Sequence, residues 1–163
     1  MDLDGTIREL APRVLRYAIA RTGDASLGED VAQESLAALV RHWRQNGPPA
    51  SAEAFVFAIA RRRAVRAAVR RRLWVPIELI FNRHDGAPTP EGRAVARDEQ
   101  ERVRAALARI PRRDREALLL LSVAELGTAE SATALGLSVS AFKMRVHRAR
   151  KRLAAELEDD HDH

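Results

Sequence analysis

The chain has 163 residues and no cysteine, which leaves room for one ordinary domain or two small ones and excludes disulfides, thiol catalysis and cysteine-held zinc. Lysine and arginine outnumber aspartate and glutamate by 28 to 23, a formal net charge of +5, which suits a polyanionic partner. Aromatic residues are only 4% of the chain, and Ala, Leu, Arg and Glu dominate, so the expected fold is all-α, without a β-sandwich or barrel. No apolar run approaches membrane-spanning length and no signal peptide opens the chain, so the expected location is cytoplasmic, without membrane insertion.

From about Gly5 to Arg21, Ile7, Leu10, Val14, Leu15, Ala18 and Ile19 recur with helical spacing, and Thr22-Gly23-Asp24 ends the run. Ser26 followed by Glu29 has the capping-box form and predicts a second helix to about Gln45, its buried side marked by Val31, Leu36, Leu39, Val40 and Trp43. Asp30, Gln33, Glu34 and Arg41 stay on the polar side. Gly47-Pro48-Pro49 cannot continue a helix. Ser51 can cap a third one, with Phe55, Ala58, Ile59, Val65, Val69 and Leu73 toward the core. Its other faces carry Arg61, Arg62, Arg63, Arg66, Arg70, Arg71 and Arg72, which repel one another unless an anion lies near. The last three also suit a solvated helix end favoured by the dipole.

Pro76, Gly86, Pro88, Pro90 and Gly92 then break the pattern and predict an interdomain linker over 74–92, with Ile77, Leu79, Ile80 and Phe81 as its short apolar cluster. The expected domains are therefore 1–73 and 93–158, with an acidic tail over 159–163. Helix resumes from about Arg93 to Ala108. Pro111 sits near the start of the next helix, whose run Leu118 to Leu121 is expected to form the second core.

Thr128 is placed to cap a short helix through Leu135, Gly136 to stop it, and Ser138 to cap the last helix. Helix, tight turn and helix form the helix-turn-helix pattern, whose second member enters the DNA major groove. On that helix Val139, Phe142, Val146, Ala149 and Leu153 form an apolar stripe. Lys143, Arg145, Arg148, Arg150, Lys151 and Arg152 occupy the other side without an acid among them, and Ser140, Lys143, Met144, His147, Arg148 and Lys151 line up on the exposed face.

Two blocks of this sequence, in order, resemble the extracytoplasmic-function (ECF) group of bacterial RNA polymerase sigma factors. The match to that family's fourth conserved region runs through Ala105-Ala106-Leu107-Ala108-Arg109-Ile110-Pro111, Arg115-Glu116-Ala117-Leu118-Leu119-Leu120, and Leu137-Ser138-Val139-Ser140 to Leu153. The match to the second region runs through Thr22-Gly23-Asp24, Glu29-Asp30-Val31-Ala32-Gln33-Glu34 and Ile59-Ala60-Arg61. The resemblance implies a sigma factor with these two regions only, joining core polymerase to promoter DNA. It implies that Asp30, Val31, Gln33 and Glu34 contact the coiled coil of the polymerase's largest subunit. It places Asn46, Gly47, Phe55, Arg61, Arg62 and Arg63 at the minus-ten element, and Ser138, Ser140, Lys143, Met144, Arg145, His147, Arg148 and Arg150 at the minus-thirty-five element. Lys143, Met144, His147 and Arg148 would face the bases, with Ser140, Arg145 and Arg150 holding phosphates.

An anti-sigma protein that masks one or both domains is a further implication of the family. The chain departs from it where Leu36 and Val40 stand in place of aromatics, where Phe55-Val56-Phe57 precedes Ile59-Ala60-Arg61 by an altered motif, and where Arg62 and Arg66 replace an expected Asn and Asp. The alternative is a stand-alone helix-turn-helix regulator that dimerises or senses through its N-terminal half. An enzyme has little support: there is no phosphate-cradling glycine loop, no zinc-protease motif and no nucleophile beside a base, and no cofactor or metal is expected. His42 and His84 stand alone, and His161 with His163 would make a poor metal site.

Overall fold

The computed structural model describes residues 2–69 and 90–159. Arg70 to Leu73, most of the expected linker with its apolar cluster, and residues 160–163 lie outside the described residues. The described residues form seven helices and no strand.

The first half is three helices folded back on one another by short turns: α1 (Leu3–Thr22), α2 (Ala25–Asn46) and α3 (Ala52–Val69). Asp2 caps α1 by accepting from the Gly5 amide at 3.1 Å. Gly23, at φ 71°, stops α1 in the left-handed conformation that glycine adopts freely. The cap of α2 is Asp24 and not Ser26: Asp24 is extended and accepts from the Leu27 amide at 2.9 Å, while Ser26 lies exposed within the first turn. Ser51 caps α3 as expected, accepting from the Ala54 amide at 3.1 Å.

Leu10, Val14, Ala18, Val31 and Leu39 are buried as the spacing predicts, and Tyr17 joins them. In α3 the packing face differs from the predicted one. Val56, Phe57, Ala60 and Ala64 are fully buried, whereas Phe55, Ala58, Ile59 and Val65 are half-buried. Apolar residues occur nearly all round this helix, so periodicity underdetermines its face, and the alanines win where helices approach closely. Gly28 marks the closest approach: a Cβ there would lie 2.5 Å from Ile19 Cγ1 and 2.8 Å from its Cα.

The second half comprises α4 (Pro90–Arg109), α5 (Arg112–Ser122), α6 (Thr128–Leu135) and α7 (Val139–Asp159). Pro90 to Gly92, expected in the linker, begin α4. Leu107, Ile110, Leu118, Ala132, Phe142, Val146 and Ala149 form its core. The leucine run does not serve this core alone. Successive helical residues point about 100° apart, so Leu118 faces the second core while Leu119 and Leu120, with Val123, Ala124, Leu126 and Ala134, complete the first.

The two halves are therefore packed together, and buried polar groups fix how. Glu116 on α5, only 5% exposed, accepts from the Tyr17 hydroxyl through Oε1 and from Arg21 Nε at 2.6 Å through Oε2. Arg13 donates to the carbonyls of Ala124 and Glu125 at 2.9 Å each and pairs with Glu53 at 2.5 Å. It holds the loop after α5, in which Glu125 takes φ 53°. Burial raises the Tyr17 phenol well above its ordinary value, and the Glu116 charge and hydrogen bond add to the rise, partly offset by Arg21 and Arg61.

Two predictions follow from this packing. Gly28→Ala must push Ile19 and the α1 backbone aside and should cost about 1–3 kcal/mol, read from the urea midpoint. Because the Tyr17 pKa is raised on folding, stability is full below the unfolded phenol's value of about 10 and is lost as pH rises beyond it. Tyr17 is the only tyrosine, so tyrosinate absorbance should emerge together with alkaline unfolding. An ordinary titration in the folded chain would refute the burial argument.

Candidate nucleic-acid interface

The turn between α6 and α7 is built entirely from local hydrogen bonds. Gly136, at φ 66°, donates to the Thr133 carbonyl at 3.0 Å and Leu137 to the Ala132 carbonyl at 2.9 Å, which satisfies the last carbonyls of α6. Gly127 occupies the cap of α6, and Thr128 is its first helical residue. Ser138 then caps α7 as expected, accepting from the Ala141 amide at 3.1 Å.

Phe142, Val146 and Ala149 root α7 in the core, and Leu153 is half-buried. Val139 is not part of the buried stripe; it is 43% exposed, because at the first position of the helix it extends past the core. Ser140, Lys143, Met144, His147, Arg148, Arg150 and Lys151 are all exposed, Met144 the most prominent apolar side chain at 57%. Two of the basic residues behave differently. Arg152 pairs with the buried carboxylate of Asp114 on α5, and Arg145 is half-buried on the side turned toward the first half. Among the described residues no carboxylate pairs with Lys143, Arg148, Arg150 or Lys151, and such uncompensated charge is the condition for binding phosphates.

On α2, Asp30, Gln33 and Glu34 are exposed, whereas Val31 is 6% exposed and contributes to the core. Glu34 pairs with Arg63 of α3, and beside them Leu27, Val31 and Val65 line an open groove. This exposed pair contributes only about 0.2–1 kcal/mol. The three consecutive arginines fan out as helical geometry requires: Arg61 turns toward the second half, Arg62 is solvent-exposed, and Arg63 joins the acidic face. Phe55 lies about 12 Å along the helix from Arg63, taking eight residues at 1.5 Å each, and its ring tilts against His42 with centroids 4.6 Å apart. Asn46 donates weakly to the His42 carbonyl at 3.4 Å, and Gly47, at φ 79°, turns the chain away from α2. The structure thus groups Asn46, Gly47 and Phe55 at one end of the α2–α3 pair and does not bring Arg61 or Arg63 to them.

Sequence reasoning gave no role to Arg13, Tyr17, Arg21, Arg112 or Arg113. The available signal was a polar residue inside an apolar run: Tyr17 lies between Val14 and Ala18, and Glu116 directly precedes Ala117 to Leu121. Among the described residues no group of three His, Cys, Asp or Glu side chains could hold a metal ion, and no helix is long and apolar enough to cross a membrane.

A three-helix unit followed by a unit that ends in a helix-turn-helix with a cationic second helix has the architecture of a DNA-binding protein. Two family models match the chain in that order, Sigma-70 region 2 over residues 6–74 and Sigma-70 region 4 over residues 100–153. The ECF RNA polymerase sigma factor SigD of Mycobacterium tuberculosis is 34% identical, with 93% of this chain and 74% of that protein covered. ShbA of Streptomyces griseus, also an ECF RNA polymerase sigma factor, is 35% identical, with 94% and 85% covered. The fold is similar to that of CnrH, solved in complex with the cytosolic domain of CnrY, with a TM-score of 0.69 and 23% identity over 97% of this chain and 88% of that one. It is also similar to RpoE of Bartonella quintana, solved with the anti-sigma factor NepR, with a TM-score of 0.65 and 18% identity over 95% and 96%. The chain belongs to the ECF RNA polymerase sigma factors. As such it directs promoter-specific transcription initiation, and the stand-alone regulator is not favoured.

Replacing both Lys143 and Arg148 with Ala should weaken binding to a cognate upstream element by about 2–6 kcal/mol, from 1–3 for each base contact. Helicity should be unchanged, since both side chains are exposed. Fluorescence anisotropy with cognate and scrambled duplexes makes the measurement; equal losses on both duplexes would assign the two residues to phosphates instead.

Proposed function

We propose that this sigma factor works as a cytoplasmic, non-enzymatic specificity subunit whose outward faces divide the tasks between them. Asp30, Gln33 and Glu34 offer acceptors to a basic helical surface of core polymerase, and buried Val31 fixes the helix that carries them. Arg63 shields Glu34 until a stronger partner competes for it. Lys143, Met144, His147 and Arg148 address the bases of the upstream promoter element, while Ser138, Ser140 and Arg150 hold its backbone. The turn at Asn46 and Gly47, with Phe55 and exposed Arg62, addresses the minus-ten element, where an aromatic ring can stack on an unpaired base. The functional division falls along 1–73 and 93–158.

The single observation that carries this reading is the pair of sigma regions in order on one chain, the second ending in a helix whose cations face outward from a buried Phe142, Val146 and Ala149 stripe. CnrH and RpoE were each solved with a second protein, CnrY and the anti-sigma factor NepR respectively. By that likeness, a masking anti-sigma partner is proposed here too.

Transcription in vitro with purified core enzyme and a random promoter pool tests the whole reading, since a sigma factor enriches a two-part promoter. Replacing Asp30 and Glu34 with Lys should reduce core association by at least tenfold in a pull-down or anisotropy titration while leaving the affinity of α7 for duplex DNA unchanged. Retained core binding in that variant would remove the acidic face from the account.

A further inference from the structure

Where the two halves meet, Arg21 of α1, Arg61 of α3, Arg112 and Arg113 of α5 and Arg145 of α7 line a cavity of about 290 Å³. Its walls contain one carboxylate, Glu116, and both of that group's oxygens are already engaged, by Tyr17 and Arg21. Val65, Leu135 and Leu137 supply the apolar part of the lining. Five arginines from four helices thus line one space, and no carboxylate of the described residues pairs with Arg61, Arg112, Arg113 or Arg145.

Two nitrogens show that the cluster is unfinished. Arg21 is nine-tenths buried, its side chain 9% exposed, and its Nη2 has no hydrogen-bond partner among the described residues. Nε of Arg61 is buried and likewise has no partner among the described residues. A buried donor without an acceptor is destabilising, more so when it is charged, so this arrangement favours an acceptor-rich guest. Neighbouring Arg115 feels the same excess: burial lowers its pKa, and Arg21 and Arg112 lower it further, against a rise from Glu116.

The geometry points to a binding site for a small ligand carrying two adjacent phosphoryl groups, seated between the halves and bridging Arg21 and Arg61 on one side to Arg112, Arg113 and Arg145 on the other. Arginine forks bind phosphate oxygens in pairs. Five cations and one carboxylate leave four positive charges, and one phosphoryl group supplies only about −1.5 to −2; a diphosphate comes closer to balance. A ligand held from both sides stabilises the packed arrangement of the halves. It also engages Arg145 on the inward side of α7, away from the residues proposed to contact the promoter. The inference rests on the packing of the halves and stands apart from the sigma-factor reading.

The test is calorimetric titration of the full chain with inorganic pyrophosphate, with sulfate at matched ionic strength as the control. Arg112→Gln combined with Arg113→Gln is the informative variant, since both residues are exposed and lie outside the proposed DNA and polymerase contacts. Pyrophosphate should bind with 1:1 stoichiometry, at least tenfold more tightly than sulfate, raise the melting temperature, and lose at least tenfold in affinity to the double variant. Equal affinity for sulfate and pyrophosphate, or undiminished binding in a variant that melts normally, would overturn the site. If an unrelated duplex displaced pyrophosphate and lost affinity to the double variant by the same factor, the cavity would be a nucleic-acid backbone contact and the small-ligand assignment would fail.

Discussion

One carboxylate organises how this chain is put together. Glu116 extends from α5 of the DNA-binding half and enters the core of the other half, where it accepts from Tyr17 and Arg21. Burying a carboxylate and a guanidinium together gains little against desolvation, but leaving either without its partner costs about 3–5 kcal/mol. The pair therefore acts less as glue than as a selector of register: arrangements of α5 against α1 that miss it are penalised, and the one that satisfies it also seats Leu119 and Leu120 among Tyr17's neighbours in the first core. Arg13 repeats the principle at the far end of α5, spending three donors on the loop carbonyls and Glu53.

This register decides which charges remain for partners. α7 is anchored by Phe142, Val146 and Ala149, so Lys143, His147 and Arg148 must face outward, and the same rotation turns Arg145 inward. On α2 the burial of Val31, Ser35 and Leu39 leaves Asp30, Gln33 and Glu34 on the opposite side. The acidic and basic surfaces are thus consequences of which stripe each helix buries, and they require no special local structure. What the packing adds is the third, inward cluster of arginines, which comes into being only when α1, α3, α5 and α7 are brought together.

The features legible in the sequence were those encoded within one helix or one turn. Ser51 and Ser138 cap as predicted, Gly136 closes α6, and the outward face of α7 carries the residues its spacing assigned, because each depends on neighbours within about four positions. Competing local signals were harder: Ser26 with Glu29 has the capping-box form, yet Asp24 takes the cap, since Gly23 ends α1 one residue earlier and leaves Asp24 extended. The face of α3 was illegible because a helix apolar nearly all round lets its partners choose the buried side, and the division of Leu118 from Leu119 and Leu120 because four successive leucines cover every direction around α5. Likewise Arg152 reads as a free cation along its own helix, and only the packing of α5 beside α7 reveals Asp114 next to it.

A polar contact at the centre of an interdomain surface also changes the cost of undoing it. When an interface made only of leucines separates, its whole area meets water at roughly 25 cal/mol per Å². When Glu116 and Arg21 separate, both regain hydration, and that gain offsets much of the attraction they lose. The same logic applies to Arg13, whose two acceptors across the seam, the Ala124 and Glu125 carbonyls, are replaceable by water while Glu53 stays with it. Leu119, Leu120 and Leu126 give this seam an apolar part as well, so its polar groups set the mutual orientation while lowering the separation cost relative to an equally large contact made of leucines alone.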